Sequence, residues 1–128
     1  MGRIDDYQGY PKIYLASFRL LGAADPGSLI VSKNTLPGGL DWVYTGVGII
    51  TGTLQAGIFG VSSSSAGRFS SNVSYNGPGT TEPQFYNLRM ATTTTVILNT
   101  RDILFALADF SFAANERMIV TIQFWPPS

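Results

Sequence analysis

Neither cysteine nor histidine occurs in this 128-residue chain, and charged residues make up only 12% of it. Without cysteine there is no disulfide to hold the fold and no thiol to act as nucleophile, so the core alone must supply stability. Without histidine the usual general base, the usual metal ligand and the usual switch near neutral pH are all missing. No cofactor is expected. Eight basic and eight acidic side chains cancel, so no net field draws the chain to nucleic acid or to an anionic membrane, and neither is expected as a partner. No run approaches the roughly 18 apolar residues of a membrane span. The N-terminal Met1–Gly2–Arg3–Ile4–Asp5–Asp6 is charged and no apolar segment of signal-peptide length follows it. Synthesis in the cytoplasm is therefore expected.

A charged share of 12% is about half of what soluble domains usually carry. With 45% hydrophobic residues, a lone copy would leave apolar patches of the kind that mark interfaces. This composition favours a homo-oligomer; a neutral surface rich in Ser and Thr is the alternative. The length suits one domain, read here as 10–128 behind a polar arm at 1–9 that contains Gly2 and Gly9.

What is present is strand pattern. Ile13–Leu20 alternates, with Tyr14, Ala16, Phe18 and Leu20 inward, and Pro11 stands at its entrance, where a missing N–H costs least. Asp25–Pro26–Gly27 signals a turn before a short strand at 28–32. Asp41–Thr53 reads as one long patterned run with Trp42, Tyr44, Gly46, Gly48 and Ile50 on one face, and Leu54–Val61 as the strand that returns from it. The Gly-x-Gly string inside that run has no helix after it, so a phosphate-loop reading fails its own context test. From Ser62 to Pro83 the chain is rich in Gly and Ser around a short alternating run, Phe69–Tyr75, which predicts an exposed edge; Asn76–Gly77 is the favoured pair of a tight hairpin. Gln84–Met90 and Thr92–Thr100 are further strands, the latter opened by β-branched threonines. Asp102–Asp109 and Arg117–Trp125 are read as a closing strand pair, joined at 109–116 by a loop or a crossover between sheets. In the last strand Met118, Val120, Ile122 and Phe124 share a wholly apolar face, and in its partner Leu104, Ala106 and Ala108 leave even the second face apolar. These seven residues are the expected oligomer interface. The sum is an all-β chain, an antiparallel β-sandwich or jelly roll of eight to nine short strands.

Chemistry is hard to find. Paired carboxylates are the remaining acid–base route, but Asp25, Asp41, Glu82, Asp102, Asp109 and Glu116 fall mostly in turns and loops, where acids solvate and bond locally. Gly60–Val61–Ser62–Ser63–Ser64 lacks the second glycine of a nucleophile elbow. No enzyme is expected, and no metal set stands out. Aromatic residues are the other currency: Trp42, Tyr44, Tyr75 and Tyr86 are candidates to stack on a sugar ring or to pack in the core.

The closing segment, an apolar run, a loop of about eight residues with an acid near its end and a terminal alternating strand, resembles the C-terminal domains of bacteriophage tail-fibre and other virion appendage proteins. Tyr44–Thr45–Gly46–Val47–Gly48–Ile49–Ile50–Thr51 is similar to a central strand of such domains. Together the two segments span about a quarter of the chain. Ala113–Ala114 and Asn115–Glu116 stand where that pattern usually has Gly and Asp. The resemblance implies a trimeric β-sandwich related to the tumour-necrosis-factor type, located in the virion, partnered by other virion proteins and by a host-surface glycan or protein. A fibre tip and a capsid decoration both fit, with the loops from Ser62 to Pro83 displayed in threes. A free-standing carbohydrate-binding module and a small carboxylate-dependent hydrolase are the rival readings.

Overall fold

The computed structural model describes residues 11–57 and 68–125. The N-terminal arm and the second half of the expected strand at 54–61 lie outside those residues. Within them run eight strands and no helix: β1 Lys12–Arg19, β2 Gly27–Asn34, β3 Asp41–Gly46, β4 Ile49–Thr53, β5 Arg68–Asn76, β6 Phe85–Thr92, β7 Thr95–Arg101 and β8 Arg117–Trp125. They form two four-stranded antiparallel sheets, β2-β1-β8-β5 and β3-β4-β7-β6, packed as a β-sandwich.

The terminal strand lies inside its sheet. β8 pairs with β1 on one side, where Ala16 faces Val120, and with β5 on the other, where Val73 faces Val120. Met118, Val120, Ile122 and Phe124 are completely buried between the sheets. Their burial stabilises the fold by about 1.5–3 kcal/mol each. Tyr14, Ala16, Phe18 and Leu20 of the β1 segment meet them as the alternation predicts, and Val96 and Leu98 of β7 close the core from the second sheet. Trp42 fills the space between Tyr14 and Phe18, with its ring centroid 5.2 Å from that of Phe18. Gly52 makes room for it, since a Cβ there would come within 2.9 Å of the indole.

Four expectations are corrected. Asp41–Thr53 is a hairpin rather than one strand: the chain reverses at Val47–Gly48, with Gly48 at φ +68, and Tyr44 then pairs with Ile50. Asn76–Gly77 makes no tight hairpin, because β5 is an edge strand paired with β8 and the next strand, β6, belongs to the other sheet. Residues 54–57 lie outside any strand. The largest departure is Asp102–Asp109, which is loop with only an isolated bridge between Arg101 and Leu107. The apolar run there is real, but the polar backbone is satisfied locally: Phe105 N–H donates to the Asp102 carbonyl and Asp102 N–H to the Ala106 carbonyl, each at 2.9 Å. A segment bonded to itself has no ladder to offer a neighbour.

Three connections, 20–26, 77–84 and 102–116, gather at one end of the sandwich. The segment after β1 lies against 110–112, through Gly22 N–H to the Phe110 carbonyl (3.0 Å) and Phe112 N–H to the Leu20 carbonyl (2.8 Å). The Val47–Gly48 turn is tied to β7 through Thr100 N–H and the Gly48 carbonyl (2.9 Å). At the opposite lateral edge from β5 and β6, β2 carries Leu29, Ile30 and Val31 exposed in succession. Register shifts against β1 on either side of Ile30–Val31, and Ser28 at φ +53, twist this edge and make it a poor template for another strand.

Candidate functional site

At the loop end, Asp102 builds a finger. Its Oδ1 accepts hydrogen bonds from the Leu104 N–H (2.9 Å) and the Ala106 N–H (3.1 Å). Arg101 secures the far side, donating from its guanidinium to the Phe105 carbonyl (3.1 Å) with Cζ 4.7 Å from the centre of the Phe105 ring. Phe105 takes φ +63, a left-handed conformation that costs an ordinary residue about 1–2 kcal/mol. The outcome is three large apolar side chains held in solvent, with Ile103 76%, Leu104 84% and Phe105 59% exposed. Unpaired apolar loops normally turn such groups inward; here the backbone bonding holds them out.

Beside the finger lies an open groove of about 500 Å³. Its exposed aromatic walls are Phe85 and Phe105, its polar groups are Glu82, Gln84, Asn87 and Arg101, and Tyr86 completes the lining with its ring packed against the core on the other face of β6. β6 and β7 set this out: Phe85 faces Arg101 across the pair, and Asn87 follows two residues on along the same face. Phe105 drops its ring against Phe85, centroids 5.1 Å apart and nearly perpendicular. The Tyr86 hydroxyl donates to Glu82 Oε2 at 3.0 Å, and burial together with that carboxylate raises the phenol above its ordinary pKa.

Of the four aromatic candidates from the sequence, Tyr86 is the one that lines this groove. Trp42 is buried, its indole N–H given to the Tyr14 hydroxyl at 3.0 Å. The Tyr44 hydroxyl donates to Asp109 Oδ2 at 3.0 Å, while Asp109 Oδ1 takes the Gly48 N–H at 2.9 Å, so the pair fastens the β3–β4 turn to the long loop. Tyr75 donates to Glu116 Oε2 at 2.5 Å. Of the expected interface residues, Leu104 and Ala106 are exposed and Ala108 is half-buried, whereas Met118, Val120, Ile122 and Phe124 are already covered by this chain's own second sheet.

The loop acids are engaged by the fold. Asp25 accepts the Tyr44 N–H at 2.8 Å. Glu116, almost fully enclosed, accepts from the Thr81 hydroxyl, the Tyr75 hydroxyl and the Ala113 N–H (2.7 Å). Those donors, the Thr81 hydroxyl first, bring its carboxyl down from the ordinary 4.5 to about 2. It is a fixed anion that binds β5, the 77–84 connection and the approach to β8 together. Among the described residues no group of three or more His, Cys, Asp or Glu side chains could hold a metal ion, and no helix is long and apolar enough to cross a membrane.

Phe85, Arg101 and Phe105 were not singled out by the sequence. Phe85 falls in the expected strand 84–90 and Phe105 in the expected strand 102–109; only the loop that Asp102 organises brings them together. The Asp at the head of the apolar run was the available signal, since Asp so often bonds the backbone two residues on. Comparison with family models, with curated proteins and with solved structures gave no match.

Proposed function

We propose that this chain is a non-catalytic virion module, structural or adhesive, that associates as a homotrimer and turns its loop end towards a host-surface glycan or protein. The observation that carries the reading is the finger: strain at Phe105 and bonding by Asp102 and Arg101 are spent on keeping Ile103 and Leu104 in water. Backbone strain of this kind persists where an exposed arrangement has a use. On a chain with so little charge, a tip of this composition is a contact for a second copy. The copy number of three, the tip-or-decoration setting and the virion location follow from the resemblance of the terminal segment to virion appendage domains.

The contact thereby moves from the interior face of β8 to Leu104, Ala106 and their neighbour Ile103. A free carbohydrate-binding module is the second reading, favoured by the groove beside the finger. A hydrolase has less in its support, since Asp25, Asp102, Asp109 and Glu116 each hold a loop in place. Leu104→Asp tests the proposal, because a side chain so exposed is free to change without touching the core. The variant keeps the circular-dichroism spectrum of the parent and sediments as a smaller species; a variant that sediments like the parent would remove the finger from the assembly contact.

A further inference from the structure

We infer that the groove between β6 and the finger is a binding site for a neutral pyranose ring. This deepens the adhesion reading and rests on it for its biological setting, though the chemistry is carried by the groove itself. The exposed apolar side chains of the lining are both aromatic, Phe85 and Phe105, while Tyr86 packs its ring against the core behind them. A lipid tail or a branched aliphatic side chain would be met by Leu, Ile or Val, whereas a flat wall suits the C–H face of a sugar. Every polar side chain besides the tyrosine hydroxyl is planar and two-headed: Glu82, Gln84, Asn87 and Arg101. Such groups present paired donors or acceptors at the spacing of vicinal hydroxyls.

Size and shape agree. A volume of about 500 Å³ lies within the range of small-ligand sites. The groove is more open than enclosed, which suits a ligand whose outer hydroxyls stay in water and disfavours an apolar one that must be enclosed. Charge decides between neutral and acidic sugars. Arg101 would attract a carboxylate, but its guanidinium is engaged at the Phe105 carbonyl and ring, and Glu82 brings a negative charge into the same lining. The two cancel, so hydroxyls rather than ions are recognised.

The walls are also set before any ligand arrives. Glu82 is fixed by the Tyr86 hydroxyl, and Phe105 is held against Phe85 by its own backbone and by Arg101. Fixed walls reduce the ordering cost of a weak ligand.

The test is a glycan array probed with the full chain, carrying neutral oligosaccharides of glucose, galactose, mannose and N-acetylglucosamine beside sialylated and uronic-acid glycans, followed by titration of the best neutral hit. Binding to one neutral class is expected. Phe85→Ala and Asn87→Ala should each weaken it by roughly three- to tenfold while the thermal melt stays close to that of the parent. Asn87 is an exposed strand residue, so its variant keeps the test usable if Phe85→Ala folds poorly. Binding to acidic glycans alone, to an aromatic or proline-rich peptide alone, or to nothing would each overturn the inference. So would neutral binding unaffected by both variants. Leu104→Asp, read in parallel, separates this from the assembly proposal: retained sugar binding with an unchanged sedimentation coefficient counts against assembly and leaves the groove standing, and an assembled parent that binds no sugar does the reverse.

Discussion

The Asp102 carboxylate holds the backbone N–H of Leu104 at 2.9 Å while the Leu104 side chain stands 84% exposed. One residue is thus used to present another. Replacing Asp102 with Ala removes two hydrogen bonds from the finger and leaves the sandwich core as it is. Amide exchange at residues 103–106 should accelerate at least several-fold, with a global loss of only about 0.5–1.5 kcal/mol in a urea titration. Unchanged exchange would mean that Arg101 and the backbone bonds of Asp102 with Phe105 and Ala106 suffice to hold the finger.

Val120 separates folding from association. It sits at the centre of β8, opposite Ala16 on one side and Val73 on the other, with no exposed surface. Val120→Asp places a carboxylate in the apolar interior and should cost about 4 kcal/mol or more, enough to unfold a marginally stable domain. The expected product has an unfolded circular-dichroism spectrum; a folded monomer would show that this face belongs to a subunit contact after all.

Glu116 sets an acid limit on stability. Its folded pKa, about 2, lies below the ordinary 4.5 because the Thr81 and Tyr75 hydroxyls and the Ala113 N–H favour the charged form. The unfolded chain therefore binds the proton first. The contribution is fully present above about pH 4.5 and is lost as the pH falls from there towards 2. Melting temperature followed down that window should drop in the parent and drop less steeply in Glu116→Gln, which should also melt lower at neutral pH. Parallel curves would place the acid sensitivity elsewhere.

Gly48 should tolerate no side chain. At φ +68 it already lies where L-residues are disfavoured, and a Cβ would come within 2.5 Å of the Thr100 carbonyl and 2.8 Å of the Ala108 nitrogen. Gly48→Ala must shift the turn or break the Thr100–Gly48 bond, at about 2–4 kcal/mol. Denaturant unfolding reads this directly. A loss under 1 kcal/mol would mean that the turn relaxes freely.

Where burial is one-sided the sequence was readable. β1, β5 and β8 alternate cleanly because each has one face in the core, and the period of two follows from that. The β3–β4 hairpin was hidden because Gly46–Val47–Gly48 keeps the same alternation through the turn; only the backbone sign at Gly48 breaks it. Thr93–Thr94 turn between β6 and β7 without Gly, Pro or Asn, so no turn chemistry marked the spot. The 102–109 run failed for a different reason: apolar content reports a tendency to avoid water, and the local bonds of Asp102 override it. The groove draws on 82–87, Arg101 and Phe105, which alternation along one strand cannot bring together.

Molar mass by light scattering, over a concentration range at neutral pH, tests the assembly most directly. The account predicts a particle of three 13.8 kDa chains for the parent and a single 13.8 kDa chain for Leu104→Asp. A parent that stays at 13.8 kDa throughout the range would contradict it.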